Sequence, residues 1–185
     1  MDSELYIISG CNGAGKTTAS FTLLPDVLGV DEFVNADEIA AGLSPFNPAK
    51  VAMDAGRLML KRIGDLMAKH KTFAIETTLA TRSYAGLIDR AHKLGYVVHL
   101  MYIWLASPLE AIQRVAMRVS EGGHNIPRDV IVRRYYRGIN NLKNIFMPRV
   151  DSWMLIDNSM GRQHVVATNE CVIDRSVYDR ILNDD

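Results

Sequence analysis

The strongest constraint in this sequence is an eight-residue segment, residues 10–17, that reads G-x-x-x-x-G-K-T. An apolar, β-prone run at residues 5–8 precedes it, and residues 17–24 have the pattern of a helix. Glycines at these spacings let successive backbone N–H groups point into one concavity, and the N-terminus of the following helix adds partial positive charge. The segment therefore predicts a phosphate-binding loop, or Walker A motif, and the binding of a nucleoside triphosphate.

Residue types within this loop predict separate roles. The residues expected to contact the triphosphate are Gly10, Asn12, Gly13, Ala14, Gly15, Lys16, Thr17 and Thr18. We expect the Lys16 ammonium to reach the outer phosphates and act in catalysis, and the Thr17 hydroxyl to bind Mg²⁺. ATP and Mg²⁺ are therefore the expected cofactors. A disulfide at Cys11 would distort the loop, so we expect both Cys11 and Cys171 to be reduced.

Composition narrows the class of protein. The chain has 185 residues, 48% of them apolar, with 21 basic and 21 acidic side chains. This is enough apolar material for the core of one domain, expected over residues 1–185, and the neutral balance argues against nucleic acid as a partner. The longest apolar stretch, residues 97–106, is too short to span a membrane, and strand-forming residues begin by Leu5 without room for a signal peptide. We expect a cytoplasmic protein.

Strand-like and helix-like segments alternate along the chain, which is typical of an α/β fold with a parallel sheet. The apolar strand-like runs lie at residues 5–8, 33–34, 73–75, 97–105 and 153–156. They predict a three-layer P-loop NTPase fold whose five-stranded parallel sheet resembles that of nucleoside monophosphate kinases. In that arrangement we expect the third strand beside the first and the fifth at an edge. A short strand at 164–167, a second candidate at 171–173, and a final helix complete the prediction.

Residues 107–147 are predicted to form a helical lid. Ser107 and Pro108 open one helix, a Gly-Gly break interrupts it, and a second helix begins near Arg128. Between residues 110 and 149 there are eight Arg or Lys side chains against three acidic ones. Arginines on a mobile hairpin can neutralise the transferring phosphoryl group and exclude water. The catalytic candidates are Arg118 and Arg134; the alternates are Arg114, Arg128 and Arg133, and ion pairs with Glu121 or Asp129 are the structural alternative.

Carboxylates follow the second and third predicted strands, at the sheet edge where ligands bind. Asp37 is the candidate general base and substrate ligand, since an attacking hydroxyl must lose its proton. Its alternative role is that of a first-turn acid in a helix capped by Asn35. Glu76 and Thr78 are candidate ligands of the acceptor, and Glu76 is also a candidate magnesium ligand through water. Residues 157–159 after the fifth strand are expected beside the nucleotide base.

Five segments of this chain together resemble the zeta toxin family of small P-loop kinases. They are GCNGAGKTT, NADEIA, IETTLATRSY, the hairpin from RVSEGGHNIP to RRYYRGINNL, and LIDNS, spread over about residues 3–160. Zeta toxins phosphorylate the 3′-hydroxyl of the amino sugar in UDP-N-acetylglucosamine. The resemblance implies Lys16 and Thr17 at the triphosphate, Asp37 as base, Glu76 and Thr78 at the acceptor, and lid arginines drawn from Arg118 and Arg134. It also implies a small-molecule acceptor, with a nucleotide sugar as one candidate, and an antitoxin-like inhibitor as a candidate partner.

Two other functions fit parts of the sequence. Residues 26–29 read D-x-x-G, as in nucleotide-dependent switches, but they follow a predicted helix and the chain contains no N-K-x-D segment. A polynucleotide 5′-kinase would use the basic lid to hold a strand, and its affinity would then fall steeply with salt. The leading prediction is transfer of the γ-phosphate of ATP to a hydroxyl of a small molecule.

Overall fold

A computed structural model describes residues 3–123 and 125–183, so His124, within the predicted lid, lies outside the described residues. The strands are β1 (Glu4–Gly10), β2 (Phe33–Val34), β3 (Phe73–Thr77), β4 (Val97–Trp104), β5 (Ser152–Asp157) and β6 (His164–Thr168). The α-helices are α1 (Lys16–Asp26), α2 (Ala36–Leu43), α3 (Ala52–Ala68), α4 (Ser83–Lys93), α5 (Pro108–Ser120), α6 (Arg128–Asn141) and α7 (Arg175–Asn183). In the described part of the chain, no helix combines the length and apolar character needed to cross a membrane.

The six strands of the described residues form one sheet in the order β2-β3-β1-β4-β5-β6. The first five strands run parallel to one another, and β3 lies beside β1, as predicted. The predicted α/β fold class is confirmed, and β6, which joins the five predicted parallel strands in the sheet, corresponds to the short strand predicted at residues 164–167. The expected edge position of the fifth strand is wrong, because β6 follows β5 after a short connection and pairs with it antiparallel. Residues 171–173, all of them described, form no strand; Val172 makes a single bridge to Ala167.

Both faces of β1 are buried, because helices cover the sheet on two sides. Ile7 lies in a core with residues of α3, α4 and α7, such as Ile63. The next residue, Ile8, points the opposite way into a second core formed with α1 and α5, which includes Leu24. Strand residues alternate between faces, so a continuous apolar run such as residues 5–8 is the pattern that this environment selects. The phosphate-binding segment therefore leaves a rigid central strand.

Helix α3 shows the apolar periodicity that predicted it, with one exception. Its buried residues are Ala55, Met59, Ile63, Leu66 and Met67, spaced at three and four positions. Leu58, another apolar residue of this helix, is 44% exposed. Other residues of α3, among them Met53 and Leu60, border a cavity described below.

The predicted helical hairpin is present as α5 and α6. The Ser107 hydroxyl caps α5 by accepting a hydrogen bond from the Glu110 backbone N–H at 3.1 Å. Helix α6 continues into a single π-helical turn, Leu142–Phe146. Gly138 lets α6 pass close to the segment after β3, since a Cβ there would lie 2.8 Å from the Thr78 carbonyl oxygen. This close contact brings α6 to the carboxyl ends of the strands, where the candidate site lies.

Candidate active site

The glycines of residues 10–17 are required by the backbone. Gly13 and Gly15 have φ values of 79° and 88°, in the left-handed region that other residues rarely adopt. A Cβ at Gly13 would lie 2.9 Å from the Ala111 carbonyl oxygen, and one at Gly15 would lie 2.8 Å from the Asn158 side-chain amide nitrogen. Helix α1 begins at Lys16, so its N-terminal N–H groups border the loop. The segment thus forms the concave strand-loop-helix that its sequence predicted.

The Lys16 side chain is held inside this loop. Its Nζ donates a hydrogen bond to the Cys11 carbonyl oxygen at 3.0 Å and lies 3.7 Å from Glu76 Oε1. Each of the two side chains in this ion pair is only 8% exposed. Buried charges need such pairing, because burying an ion without a partner costs on the order of several kcal/mol. Lys16 is therefore oriented before any ligand arrives.

Glu76 is the centre of the site because three elements converge on its carboxylate. It lies in β3, next to Ile8 of β1, and one of its oxygens accepts hydrogen bonds from the Thr17 hydroxyl at 2.8 Å and from Asn35 Nδ2 at 2.9 Å. Burial raises the pKa of Glu76, and the negative charges of Asp37 and Glu38 add to the rise, while Lys16 and the Thr17 hydrogen bond oppose it. The carboxyl therefore ionises less readily than one in water.

Two oxygen donors suited to Mg²⁺ lie side by side here. The Thr17 hydroxyl and the Glu76 carboxylate are in direct hydrogen-bond contact at 2.8 Å, which places both within reach of one small site. Mg²⁺ prefers oxygen ligands and usually keeps several waters, so a hydroxyl, a carboxylate reached through water and phosphate oxygens suit it. These residues fit the predicted metal, with Thr17 as the direct ligand and Glu76 as the partner of a bound water.

Asp37 reaches the same region from the first turn of α2. Asn35 caps this helix, its Oδ1 accepting a hydrogen bond from the Asp37 backbone N–H at 2.8 Å. The helix cap by Asn35, which the sequence offered as the alternative interpretation of this segment, is thus present. The Asp37 side chain lines the cavity described in the next paragraph. Asn35 connects the two carboxylates physically, because it caps α2 and also binds Glu76. No pattern in the sequence indicated this second contact.

Asp37, Lys16 and Glu76 all line one cavity of about 500 Å³. The end of β3, the segment after it and the start of α4 supply lining residues that carry hydroxyl groups, namely Thr77, Thr78, Thr81, Ser83 and Tyr84. Helix α3 supplies an apolar wall, which includes Ala52, Met53, Met59 and Leu60. A cavity of this size next to the phosphate-binding loop can accommodate a small second ligand. Tyr84 and Thr81 were not among the predicted site residues.

The lid arginines predicted from the sequence differ in whether they line the cavity. Arg134 of α6 reaches the loop, where its Nη1 donates a hydrogen bond to Asn12 Oδ1 at 3.3 Å, and it also lines the cavity. Arg118 is exposed in the last turn of α5, where Gly123 packs against it, and it does not line the cavity. The alternates Arg128 and Arg133 do not line the cavity either. Of the two arginines favoured by the sequence, Arg134 lines the cavity and Arg118 does not.

Arg114 has a different task, because it ties α5 to the loop after β5. Its Nη2 donates hydrogen bonds to Glu110 Oε1 at 2.7 Å and to the Asn158 carbonyl oxygen at 2.5 Å. The Asn158 side chain in turn donates to the Ala14 carbonyl oxygen of the phosphate-binding loop at 2.9 Å. Asn158 was missed as a partner of the phosphate-binding loop, because the sequence predicted β5 to be an edge strand, whereas β5 lies between β4 and β6. Thr18 points away, into a separate groove beside α1.

Both cysteines are free thiols in different environments. Cys11 is 2% exposed within the phosphate-binding loop, whereas Cys171 is exposed. Burial raises the pKa of the Cys11 thiol to about 11, with Lys16 opposing the rise. The Cys11 side chain therefore fills a small buried space, and the backbone carbonyl oxygen of the same residue accepts the hydrogen bond from Lys16.

Known proteins share sequence or fold with this chain. A family model described as Zeta toxin matches residues 2–152. An uncharacterized protein from Haemophilus influenzae is 32% identical over 136 residues, which make up 73% of this chain and 94% of that protein.

Three solved structures illustrate the shared fold. A chain of the AvrRxo1-ORF1–ORF2 complex, solved with ATP, has a TM-score of 0.81 at 19% identity and covers 98% of this chain; this chain spans only 64% of that one. A chain of the PezAT toxin–antitoxin system of Streptococcus pneumoniae has a TM-score of 0.70 at 15% identity, covering 100% of this chain and 80% of that chain. A gluconokinase from Sinorhizobium meliloti has a TM-score of 0.51 at 16% identity, covering 84% of this chain and 82% of the gluconokinase.

These structural similarities concern the fold, and the family match covers most of the sequence, including the phosphate-binding loop, β3 and both lid helices. We conclude that the chain belongs to the zeta toxin family.

Proposed function

We propose that this protein is an ATP-dependent kinase that transfers the γ-phosphoryl group to a hydroxyl of a small molecule. One observation carries the proposal: the buried ion pair between Lys16 of the phosphate-binding loop and Glu76 of β3 lines the same cavity as Asp37. A phosphate-binding residue and a carboxylate that can accept a proton therefore line the same cavity. ATP is the proposed donor, and a structural neighbour of this chain was solved with ATP.

In this mechanism the loop holds the triphosphate with its γ-phosphorus facing the cavity. The acceptor hydroxyl oxygen forms a new bond to that phosphorus, the bond from phosphorus to the β-γ bridging oxygen breaks, and Asp37 takes the hydroxyl proton. The products are ADP and the phosphorylated acceptor. Lys16 and Arg134 stabilise negative charge on the phosphate oxygens, and Arg118 joins them if the lid closes. Mg²⁺, held by Thr17 and through water by Glu76, would supply further charge neutralisation.

The acceptor is assigned only by class. Thr78 and Glu76 line the cavity and are proposed to orient the acceptor. UDP-N-acetylglucosamine is the candidate that the family resemblance implies, and it belongs in any panel of acceptors. An antitoxin-like protein is a candidate partner, since a neighbour of this fold comes from a toxin–antitoxin system. We place the reaction in the cytoplasm, where ATP is abundant.

Calorimetry and a transfer assay together test the proposal. Purified protein should bind Mg·ATP, and γ-labelled ATP should lose its label to an acceptor in a metabolite extract. Lys16→Ala should reduce turnover by about 10²-fold or more, because it removes a charge aimed at the transferring group. Lys61→Ala, an exposed position on α3, is the matched control and should behave like the wild type. Failure of the wild type to bind Mg·ATP would refute the proposal.

A nucleotide-dependent switch is the contrasting hypothesis, and the position of its D-x-x-G motif in the structure does not support it. The D-x-x-G residues 26–29 begin at the last residue of α1, not at the end of a strand beside the phosphate-binding loop. A switch would hydrolyse ATP slowly without any acceptor and capture a protein partner only in one nucleotide state. A kinase should instead consume ATP faster when its acceptor is added. The ratio of the two rates separates the hypotheses.

A further inference from the structure

The Asn35 side chain uses both ends of its amide inside the candidate active site. Its Oδ1 accepts a hydrogen bond from the Asp37 backbone N–H at 2.8 Å, and its Nδ2 donates one to Glu76 Oε2 at 2.9 Å. The residue is only 6% exposed. A flipped amide would turn its oxygen toward a carboxylate and its NH₂ group toward an N–H, so both contacts would be lost. The two partners therefore fix the amide in one orientation.

Helix capping explains only one of these contacts. Ser, Thr, Asp and Asn all cap helices well, because each offers a side-chain oxygen to an N–H of the first turn. Ser107 does this for α5. Of these residue types, only asparagine has a separate donor group that can bind Glu76 while its oxygen caps the helix. An aspartate at position 35 would place a second carboxylate against the Glu76 oxygen. The choice of asparagine thus fits the contact with β3 as well as the cap.

Strand β2 brings Asn35 to Glu76. This strand contains only Phe33 and Val34, and it pairs parallel with β3 so that Val34 lies beside Ile75. The next pair along this register is Asn35 and Glu76, whose side chains therefore face the same side of the sheet. Because β2 is so short, the bond from Asn35 extends the attachment of this segment to β3 as far as the start of α2.

Glu76 is held from the opposite side by the phosphate-binding loop. Its carboxylate accepts the hydrogen bond from the Thr17 hydroxyl at 2.8 Å and lies 3.7 Å from Lys16 Nζ. A continuous series of contacts therefore runs from Thr17 through Glu76 and Asn35 to the first turn of α2, which carries Asp37. Without the Asn35 amide, Glu76 would keep both contacts with the loop, whereas Asp37 would lose this attachment to it.

We infer that Asn35 is a positioning residue for phosphoryl transfer, which holds the turn that carries Asp37 in a fixed place relative to Glu76 and the bound triphosphate. The inference rests on the proposed kinase function and adds to it a residue that acts through Asp37. A displacement of about 1 Å in a reacting group can lower a rate by about 10²-fold. Asn35 therefore affects the rate of transfer and not the affinity for nucleotide.

An exchange of helix caps tests this role. Asn35→Ser keeps an oxygen for the Asp37 N–H and removes the donor to Glu76, while Ser107→Asn makes the reverse exchange at the cap of α5 and is the matched control. Transfer is measured with γ-labelled ATP and serial dilutions of a bacterial metabolite extract, and Mg·ADP affinity by calorimetry. Asn35→Ser should lower the maximal transfer rate by about 10–100-fold and leave Mg·ADP affinity near that of the wild type. Ser107→Asn should match the wild type in both.

Each other outcome contradicts the inference. A wild-type transfer rate for Asn35→Ser would reduce Asn35 to a helix cap and leave the kinase function standing. An equal loss of Mg·ADP affinity would place its effect in the nucleotide site, and an equal loss of transfer in Ser107→Asn would show that any cap exchange impairs the enzyme. If the wild type transfers no more label than Lys16→Ala, the kinase function is wrong, and this inference with it.

Denaturation tests the contact between Asn35 and Glu76 without any activity. Asn35→Asp keeps the cap and the size of the side chain but sets a carboxylate against Glu76 Oε2, so it should destabilise the wild type. In the Glu76→Gln protein the same change should destabilise less, because an amide at position 76 can donate to the new carboxylate. Equal shifts of the urea midpoint in the two backgrounds would show that the two side chains are not coupled, and would overturn the inference.

Discussion

The Glu76 carboxylate accepts a hydrogen bond from the Thr17 hydroxyl at 2.8 Å, although 59 residues separate the two in sequence. Adjacent parallel strands create this contact. Glu76 of β3 lies beside Ile8 of β1, and the loop after β1 returns Thr17 to the same edge of the sheet. The contact joins the phosphate-binding loop to the wall of the acceptor cavity. Substitutions around it should therefore separate nucleotide binding from transfer.

Asp37→Asn should retain nucleotide binding and lose transfer. The side chain lines the cavity, and it is the backbone N–H of Asp37 that bonds to Asn35, so ATP affinity should remain near that of the wild type. Loss of a general base should lower the transfer rate by about 10²–10⁴-fold. Glu38→Gln, the next residue of α2, is the control and should transfer phosphate normally. Normal transfer by Asp37→Asn would remove Asp37 from the mechanism.

Gly15→Ala should destabilise the protein, whereas Gly64→Ala should not. Gly15 has a φ of 88°, which costs an L-residue about 1–2 kcal/mol, and its new Cβ would lie 2.8 Å from the Asn158 amide nitrogen. Gly64 lies inside α3, and a methyl group added there would meet no atom within 4 Å, so alanine should add about 0.5–1 kcal/mol of stability. Urea denaturation measures both changes. Equal effects would contradict the geometry assigned to the loop.

Glu76→Gln should change how stability depends on pH. Because burial raises the pKa of Glu76, the folded protein keeps this proton to a higher pH than the unfolded chain does. The folded state then binds more protons within that window, so its free energy of unfolding falls as pH rises. Glutamine removes this contribution. Relative to the wild type, Glu76→Gln should therefore gain stability as the pH is raised from about 4 toward neutrality.

Denaturation of both proteins at a series of pH values measures this difference. Thr81→Val changes a neutral group of the same cavity, and its difference from the wild type should not vary with pH. A constant difference for Glu76→Gln would show that burial does not perturb this carboxyl.

Cys11 should resist alkylation in the native protein. With a thiol pKa of about 11, little thiolate exists at pH 8, and the side chain is only 2% exposed. Iodoacetamide should modify it at least about 10²-fold more slowly than an ordinary exposed thiol. Cys171→Ser isolates the slow thiol, and Cys11→Ser isolates the exposed one. Comparable rates in these two variants, with the protein folded, would contradict the buried position of Cys11.

The sequence alone determined the features that depend on local backbone and periodicity. A phosphate-binding loop needs glycines in the left-handed region and a helix after it, so the amino-acid pattern of residues 10–17 predicted this loop. Apolar runs and helical stripes likewise predicted the five parallel strands, because the central strands of a parallel sheet covered by helices are buried on both faces. Asn35 was recognised as a helix cap for the same reason, since capping joins residues only two apart.

Only the tertiary structure decided which distant side chains meet. The amide of Asn35 binds Glu76, 41 residues away, and Arg134 reaches Asn12 across 122 residues while Arg118 lies away from the cavity. Both arginines occupy lid helices with similar patterns, so sequence spacing could not rank them. Their positions follow from the packing of α6 against the segment after β3, where Gly138 permits close approach. Strand order and helix packing determine which of these side chains come into contact, and neither can be predicted from the local sequence.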